Sequence, residues 1–132
     1  MAQLILDTNA LIQLDRGGAI IAEVSESDDL AIAAITLAEL RHGILAAEAG
    51  RRHARRQFVE DVEATIEVLP YTRATAAEHA ALLDHVRRIG RPRSAHDLII
   101  AAHARQTGRR VVSLDVKARF GDLPGVSLLA AP

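Results

Sequence analysis

The chain has 132 residues, 49% hydrophobic but only 2% aromatic, with 16 basic against 17 acidic side chains, a net charge of −1 and no cysteine. That length suits one domain cored by Ala, Leu, Ile and Val, and the composition excludes aromatic base-stacking platforms, disulfide frameworks and thiolate metal sites. No apolar stretch approaches the ~20 residues of a membrane span and no signal-like core follows the N-terminus, so a soluble, cytoplasmic protein is expected.

Residues 4–6 read as a first strand and 8–15 as a helix that ends before Gly17-Gly18. Residues 19–27 read as a second helix and 30–35 as a second strand. A helix over 36–49 is stopped by Gly50, and an amphipathic helix follows over 51–65, with Phe58, Val59 and Val62 on one side. The third strand, 66–69, closes at Pro70. Helix 74–89 ends near Gly90, and the polar connection Arg91-Pro92-Arg93 leads into helix 94–107, for which Gly108 is the C-terminal stop. Strands at 111–114 and 126–129 complete the chain. This alternation implies one α/β domain over residues 1–132, a three-layer α/β/α arrangement with a parallel sheet of about five strands and right-handed crossovers.

Four acids stand at the joints of this pattern: Asp7, Glu39, Asp97 and Asp115. Asp7, Glu39 and Asp115 follow or nearly follow a strand, where an α/β sheet presents its ligand crevice, and Asp97 begins a helix from which it could point over the same edge. Each also fits a helix-capping role. Thr36-x-x-Glu39 and Ser94-x-x-Asp97 match the capping box, and Asp7 and Asp115 could cap the segments behind their strands. Capping alone does not explain why all four fall at one edge of the sheet. If they converge, their mutual repulsion calls for a divalent cation, and an all-oxygen set points to Mg²⁺ or Mn²⁺ over zinc. Such a centre is usual equipment for cutting phosphodiesters.

The histidines offer a weaker competitor. His79 and His85 are six apart and His96 and His103 seven apart, whereas helical zinc ligands stand four apart. His96, beside Asp97, reads as a supporting or surface residue, and Ser113 lacks the Gly-x-Ser-x-Gly elbow of a hydrolase.

The segments Leu4-Ile5-Leu6-Asp7-Thr8-Asn9, Thr36-Leu37-Ala38-Glu39-Leu40, His96-Asp97-Leu98-Ile99-Ile100-Ala101-Ala102 and Val111-Val112-Ser113-Leu114-Asp115 resemble, in order, the signature segments of PIN-domain nucleases. Their order, their spacing and the short chain are similar to the VapC-type toxins of toxin–antitoxin pairs. The resemblance implies a PIN fold and a Mg²⁺-dependent endoribonuclease in which Mn²⁺ can substitute. It assigns Asp7, Glu39, Asp97 and Asp115 to the metal site, with Thr8 and Asn9 orienting water or phosphate. It further implies a homodimer and an antitoxin that blocks the site. One departure stands out: many relatives end in a Thr-x-Asn-x-x-Asp-Phe-like segment, whereas here Asp115 holds the Asn-like position and Ala118 stands where the second acid would be. The fourth acidic role therefore falls on Asp115.

The basic residues, almost all Arg, gather at Arg51, Arg52, Arg55 and Arg56 and at Arg87, Arg88, Arg91 and Arg93. Either cluster can be a solvated helix face; as a phosphate-attracting surface, with Arg51 and Arg52 foremost, it would bring RNA to an acidic cleft. Cleavage is expected in a loop or single strand, because side chains do not read the A-form groove. Two other classes share the acid-tipped outline. A phosphatase wants a second Asp where Asn9 stands, and a receiver-like phosphoacceptor wants an acidic pair that is missing. A non-catalytic module would use the Ala-rich stretches 31–49 and 74–83 only for pairing.

Overall fold

Short aliphatic strands without a polar face must bury both sides, which a parallel sheet between two helical layers allows. In the computed structural model, which describes residues 1–17, 24 and 27–129, β1 is Gln3–Leu6, β2 Asp29–Ala33, β3 Glu67–Leu69 and β4 Arg110–Val112. All pair in parallel, in the order β3-β2-β1-β4. The helices are α1 (Thr8–Asp15), α2 (Ala34–Ala46), α3 (Ala49–Thr65), α4 (Arg73–Ile89) and α5 (Ala95–Thr107).

The two-residue period of a strand divides the core into two parts. Leu4 and Leu6 of β1, Ile32 of β2 and Val112 of β4 face one side, where they pack on Ala10 and Leu11 of α1, Leu40 and Ile44 of α2, and Val59 and Val62 of α3. Ile5, Ala31, Ala33 and Val111 face the other and meet Leu82 of α4 and Leu98, Ile100, Ala101, Ala102 and Ala104 of α5, with Phe120 and Leu123 closing the edge. The expected three layers are therefore present. The chain runs outward from β1 through β2 to β3, then returns to place β4 on the free side of β1. The point where strand order reverses, between β1 and β4, is where a doubly wound sheet opens a crevice at its carboxyl edge.

Several expected boundaries shift for local reasons. The sheet has four strands among the described residues, not about five: residues 126–129 meet β4 only at a bridge between Val111 and Leu128, with N–H to O distances of 2.8 Å and 2.9 Å. β4 stops at Val112, so the last segment has no ladder to extend. Helix α2 begins at Ala34, two residues before the expected start, with Ala33 as an N-cap that has no side-chain bond. The expected stop at Gly50 is an interior position of α3; the break falls at Ala47 and Glu48, whose ψ values of 151° and 149° are extended. The helix expected over 19–27 lies outside the described residues apart from Val24 and Ser27. Gly90 and Gly108 do end α4 and α5, at φ 72° and 73°, a left-handed conformation that any side chain would strain.

Candidate active site

Asp7 follows the last residue of β1, and the strand register fixes its neighbour. Leu6 lies opposite Val112, the Asp7 N–H donates to the Val112 carbonyl at 3.2 Å, and Ser113 is therefore the next residue across. The Ser113 hydroxyl donates to Asp7 Oδ2 and accepts from the Asp115 N–H at 3.0 Å. On its other side Asp7 is the N-cap of α1, with Oδ1 accepting from the Ala10 N–H at 2.9 Å. Only 8% of Asp7 is exposed. Burial pushes its carboxyl above the ordinary value of 3.8; the Ser113 hydroxyl and the Ala10 N–H pull it back, and the negative charges of Asp97 and Asp115 push it up again.

Asp97 enters from the opposite layer. Ser94 caps α5, its hydroxyl accepting from the Asp97 N–H at 3.0 Å, which sets the half-buried Asp97 in the first turn, over the edge where β1 ends. Asp115 is exposed and caps a 3-10 turn, Val116–Ala118, by accepting from the Lys117 N–H at 3.0 Å. Glu39, on α2, accepts from the Thr8 hydroxyl at 3.4 Å and lies 3.2 Å from His96 Nδ1. The expected capping box at Thr36 and Glu39 does not form, because α2 has already begun at Ala34 and Thr36 is fully buried. Glu39 is thus released from a capping role and turned toward Thr8.

Asp97 and Asp115 are therefore each close enough to Asp7 to oppose its charge, with Glu39 tied in through Thr8. Among the described residues no three acid or imidazole side chains are drawn tightly enough to enclose an ion. The donor set nevertheless fits a hard divalent cation in type, all carboxylate, hydroxyl and amide oxygen. It also fits in charge, since a cation would relieve the penalty that burial and two like charges place on ionised Asp7. Asn9 is exposed on α1 beside this group.

A cleft of about 510 Å³ adjoins the acids between α1, α2 and α3. Thr8 and Glu39 line one part of it, Ile12, Leu40 and Phe58 its apolar floor, and Arg16, Arg51 and Arg55 its basic side. Arg51 is thus brought to the site. Arg52 is not among the lining residues, and its Nε–H donates to the Ala47 carbonyl at 3.0 Å, where it helps hold the α2–α3 break. Sequence reasoning underrated Ser113, which joins two of the acids; the signal for it was strand register, since the residue after β4 must lie beside the residue after β1. His96, expected in a supporting role, does lie against Glu39. Arg16 was missed, and nothing in its local sequence marks it.

Among the described residues no helix is long and apolar enough to cross a membrane. A family model described as PIN domain matches residues 4–123. Ribonuclease VapC of Rickettsia bellii is 30% identical over 130 residues, covering 98% of this chain and 96% of the relative. Ribonuclease VapC5 of Mycobacterium tuberculosis is 34% identical over 111 residues, covering 84% and 82%. The crystal structure of VapBC-5 from Mycobacterium tuberculosis, a member of the VapBC family of toxin–antitoxin systems, superposes with a TM-score of 0.80 at 32% identity over 98% of both chains.

Proposed function

The chain belongs to the PIN-domain family, and from that premise we propose that it is a divalent-metal-dependent endoribonuclease acting as the toxin of a toxin–antitoxin pair. The observation that carries this reading is a buried Asp7 at the sheet's reversal point, bearing the repulsion of Asp97 and Asp115. A carboxylate is kept in so unfavourable a place when a cation or a reaction needs it there. The ribonuclease names of the Rickettsia and Mycobacterium relatives support the choice of RNA.

Asp7, Glu39, Asp97 and Asp115 would hold Mg²⁺ or Mn²⁺, which when bound supplies an acidified water and positive charge for the leaving oxygen. The protein's own groups prepare the rest. Ser113 and the Ala10 N–H fix the Asp7 carboxylate from two sides, so its orientation is set before substrate arrives. Thr8 presents a hydroxyl to Glu39 and Asn9 is exposed next to it in the chain, and in this reading both would orient water or a phosphate oxygen. Arg51, Arg55 and Arg16 on the cleft draw the RNA backbone toward an otherwise acidic centre. In this reading Arg52 serves the fold more than the substrate. The toxin–antitoxin name of the VapBC-5 structure supports an antitoxin partner, which in this reading would silence the centre, and the toxin would pair with a second copy of itself.

The test is cleavage of total cellular RNA by the purified, antitoxin-free chain with Mg²⁺ or Mn²⁺, beside EDTA and Asp7→Ala controls. Discrete fragments lost under both controls are expected. Folded protein that leaves RNA intact and shows no metal-dependent thermal stabilisation would turn the assignment toward a binding module. Light scattering of the free chain reads the dimer.

A further inference from the structure

Asp115 has little sheet to hold it. β4 ends at Val112, and the chain then runs through two short 3-10 turns, Val116–Ala118 and Phe120–Asp122. Such a segment has few ladder bonds to resist local opening, yet it carries an acid that must stay near Asp7 against like-charge repulsion. Its near end is tied by Asp115 itself, which accepts from Lys117 N–H. At the far end the carbonyls of Ala118 and Arg119 both accept from a single guanidinium nitrogen, Nη1 of Arg93, the second at 2.9 Å.

Arg93 lies in the α4–α5 connection, immediately before Ser94, the residue whose hydroxyl caps α5 at Asp97. One side chain therefore joins the segment bearing Asp115 to the cap bearing Asp97. Arg119 adds a sign of constraint. Its φ of 50° is the sole positive value outside glycine among the described residues, a strained state that persists only where the surroundings impose it. Arg93 is also not among the residues that line the cleft of the proposed RNA site. It lines a recess of about 80 Å³ with Ile89, Arg119, Asp122 and Leu123, which shares no residue with the cleft of Thr8, Glu39 and Arg51.

We propose that Arg93 is a positioning residue, a clasp that fixes Asp115 relative to Asp97, and not the phosphate contact that its Arg-rich neighbourhood suggests. This rests on the ribonuclease reading. Arg93→Ala and Arg93→Lys are compared with wild type by amide hydrogen exchange and by RNA cleavage at several salt concentrations. In Arg93→Ala, the turn-bonded amides of Ala118, Arg119, Asp122 and Leu123 should exchange about tenfold faster while the interior of α5 is unchanged. The kcat should fall roughly 10- to 100-fold with KM and salt slope unaltered, and Lys, which can still donate to the carbonyls, should recover much of both. Unchanged exchange, or a raised KM with a salt slope lowered by about 0.7, overturns the clasp in favour of a phosphate contact. Faster exchange with unchanged kcat overturns the positioning role. A wild type that cleaves no RNA instead rejects the ribonuclease reading, and the exchange result still decides whether Arg93 holds the segment.

Discussion

Arg109 is the most deeply placed charge among the described residues, 6% exposed, and its role can be weighed bond by bond. Its Nη1 donates to the carbonyls of Leu4 at 3.0 Å and Asp29 at 2.9 Å, across the starts of β1 and β2. Its Nη2 reaches the carboxylates of Asp29 at 3.3 Å and Glu67 at 3.1 Å, the latter on β3. One guanidinium thus ties three strands at the edge opposite the acids. The carboxylate side chains are 39% and 57% exposed, so losing Arg109 leaves them to water and costs about 1 kcal/mol or less each. The carbonyls matter more, since a hydrogen bond from a charged donor contributes about 1.5 kcal/mol or more and the Leu4 carbonyl is buried.

Arg109→Met keeps the apolar stem and removes these bonds, at an expected cost of about 3 kcal/mol. For a chain of this size that is a fall in Tm of about 10 °C. Glu67→Gln should cost under about 1 kcal/mol. Both are read by thermal and urea unfolding. The Leu4 carbonyl lies about 10 Å along the strand from Asp7, so RNA cleavage well below Tm should survive in both variants. A drop of less than about 4 °C for Arg109→Met, or equal costs for the two variants, would refute the assignment of stability to the carbonyl bonds.

Asp7→Asn should remove activity by roughly 100-fold or more, about 3 kcal/mol of barrier, while raising stability in EDTA at neutral pH. The sign follows from a carboxyl raised in the fold: wild-type stability is complete below 3.8 and declines as pH rises through the raised value, so urea curves should show a larger gain for Asn at neutral pH than below 3.8. Arg51→Ala should raise KM for RNA and lower the salt slope by about 0.7, whereas Arg52→Ala should chiefly lower Tm; equal slopes for Arg51→Ala and wild type would remove Arg51 from the interface. His103 is fully buried with neither ring nitrogen bonded, and burial, aided by His79, holds its pKa below 6.5. The unfolded chain therefore binds the extra proton, stability is lost as pH falls below 6.5, and His103→Leu should flatten the loss between pH 7 and 5 in urea unfolding.

Much of this arrangement was legible because two signals agreed. Alternating aliphatic runs fixed the layers, and an acid at each joint fixed the edge. What the sequence concealed was register. Thr36-x-x-Glu39 looks like a capping box on paper, but helix α2 starts on Ala34, whose propensity is high and whose preceding strand needs only Asp29–Ala33 to match β1 and β3. Two residues of displacement bury Thr36 and turn Glu39 toward Thr8. The final strand falls short for a similar reason, since Val126–Leu129 has the right residues but β4 offers it only Val111.

The capping and catalytic readings, set against each other in the sequence, prove compatible at two of the four acids. Asp7, through its own carboxylate, caps α1, and Asp115 caps a turn, whereas at Asp97 the cap is the Ser94 hydroxyl, which takes only the backbone N–H of the acid. Such bonds lower a carboxylate's freedom and fix where its second oxygen points, which is what a metal or phosphate centre needs from its ligands. For Asp7 the bonds to Ala10 and Ser113 also offset part of the upward push from burial and neighbouring charge, so the acid stays closer to ionised than its position alone would allow. Local structure thus does not compete with the proposed function at this edge; it supplies the orientation, and the like charges around Asp7 supply the reason for proposing a cation there.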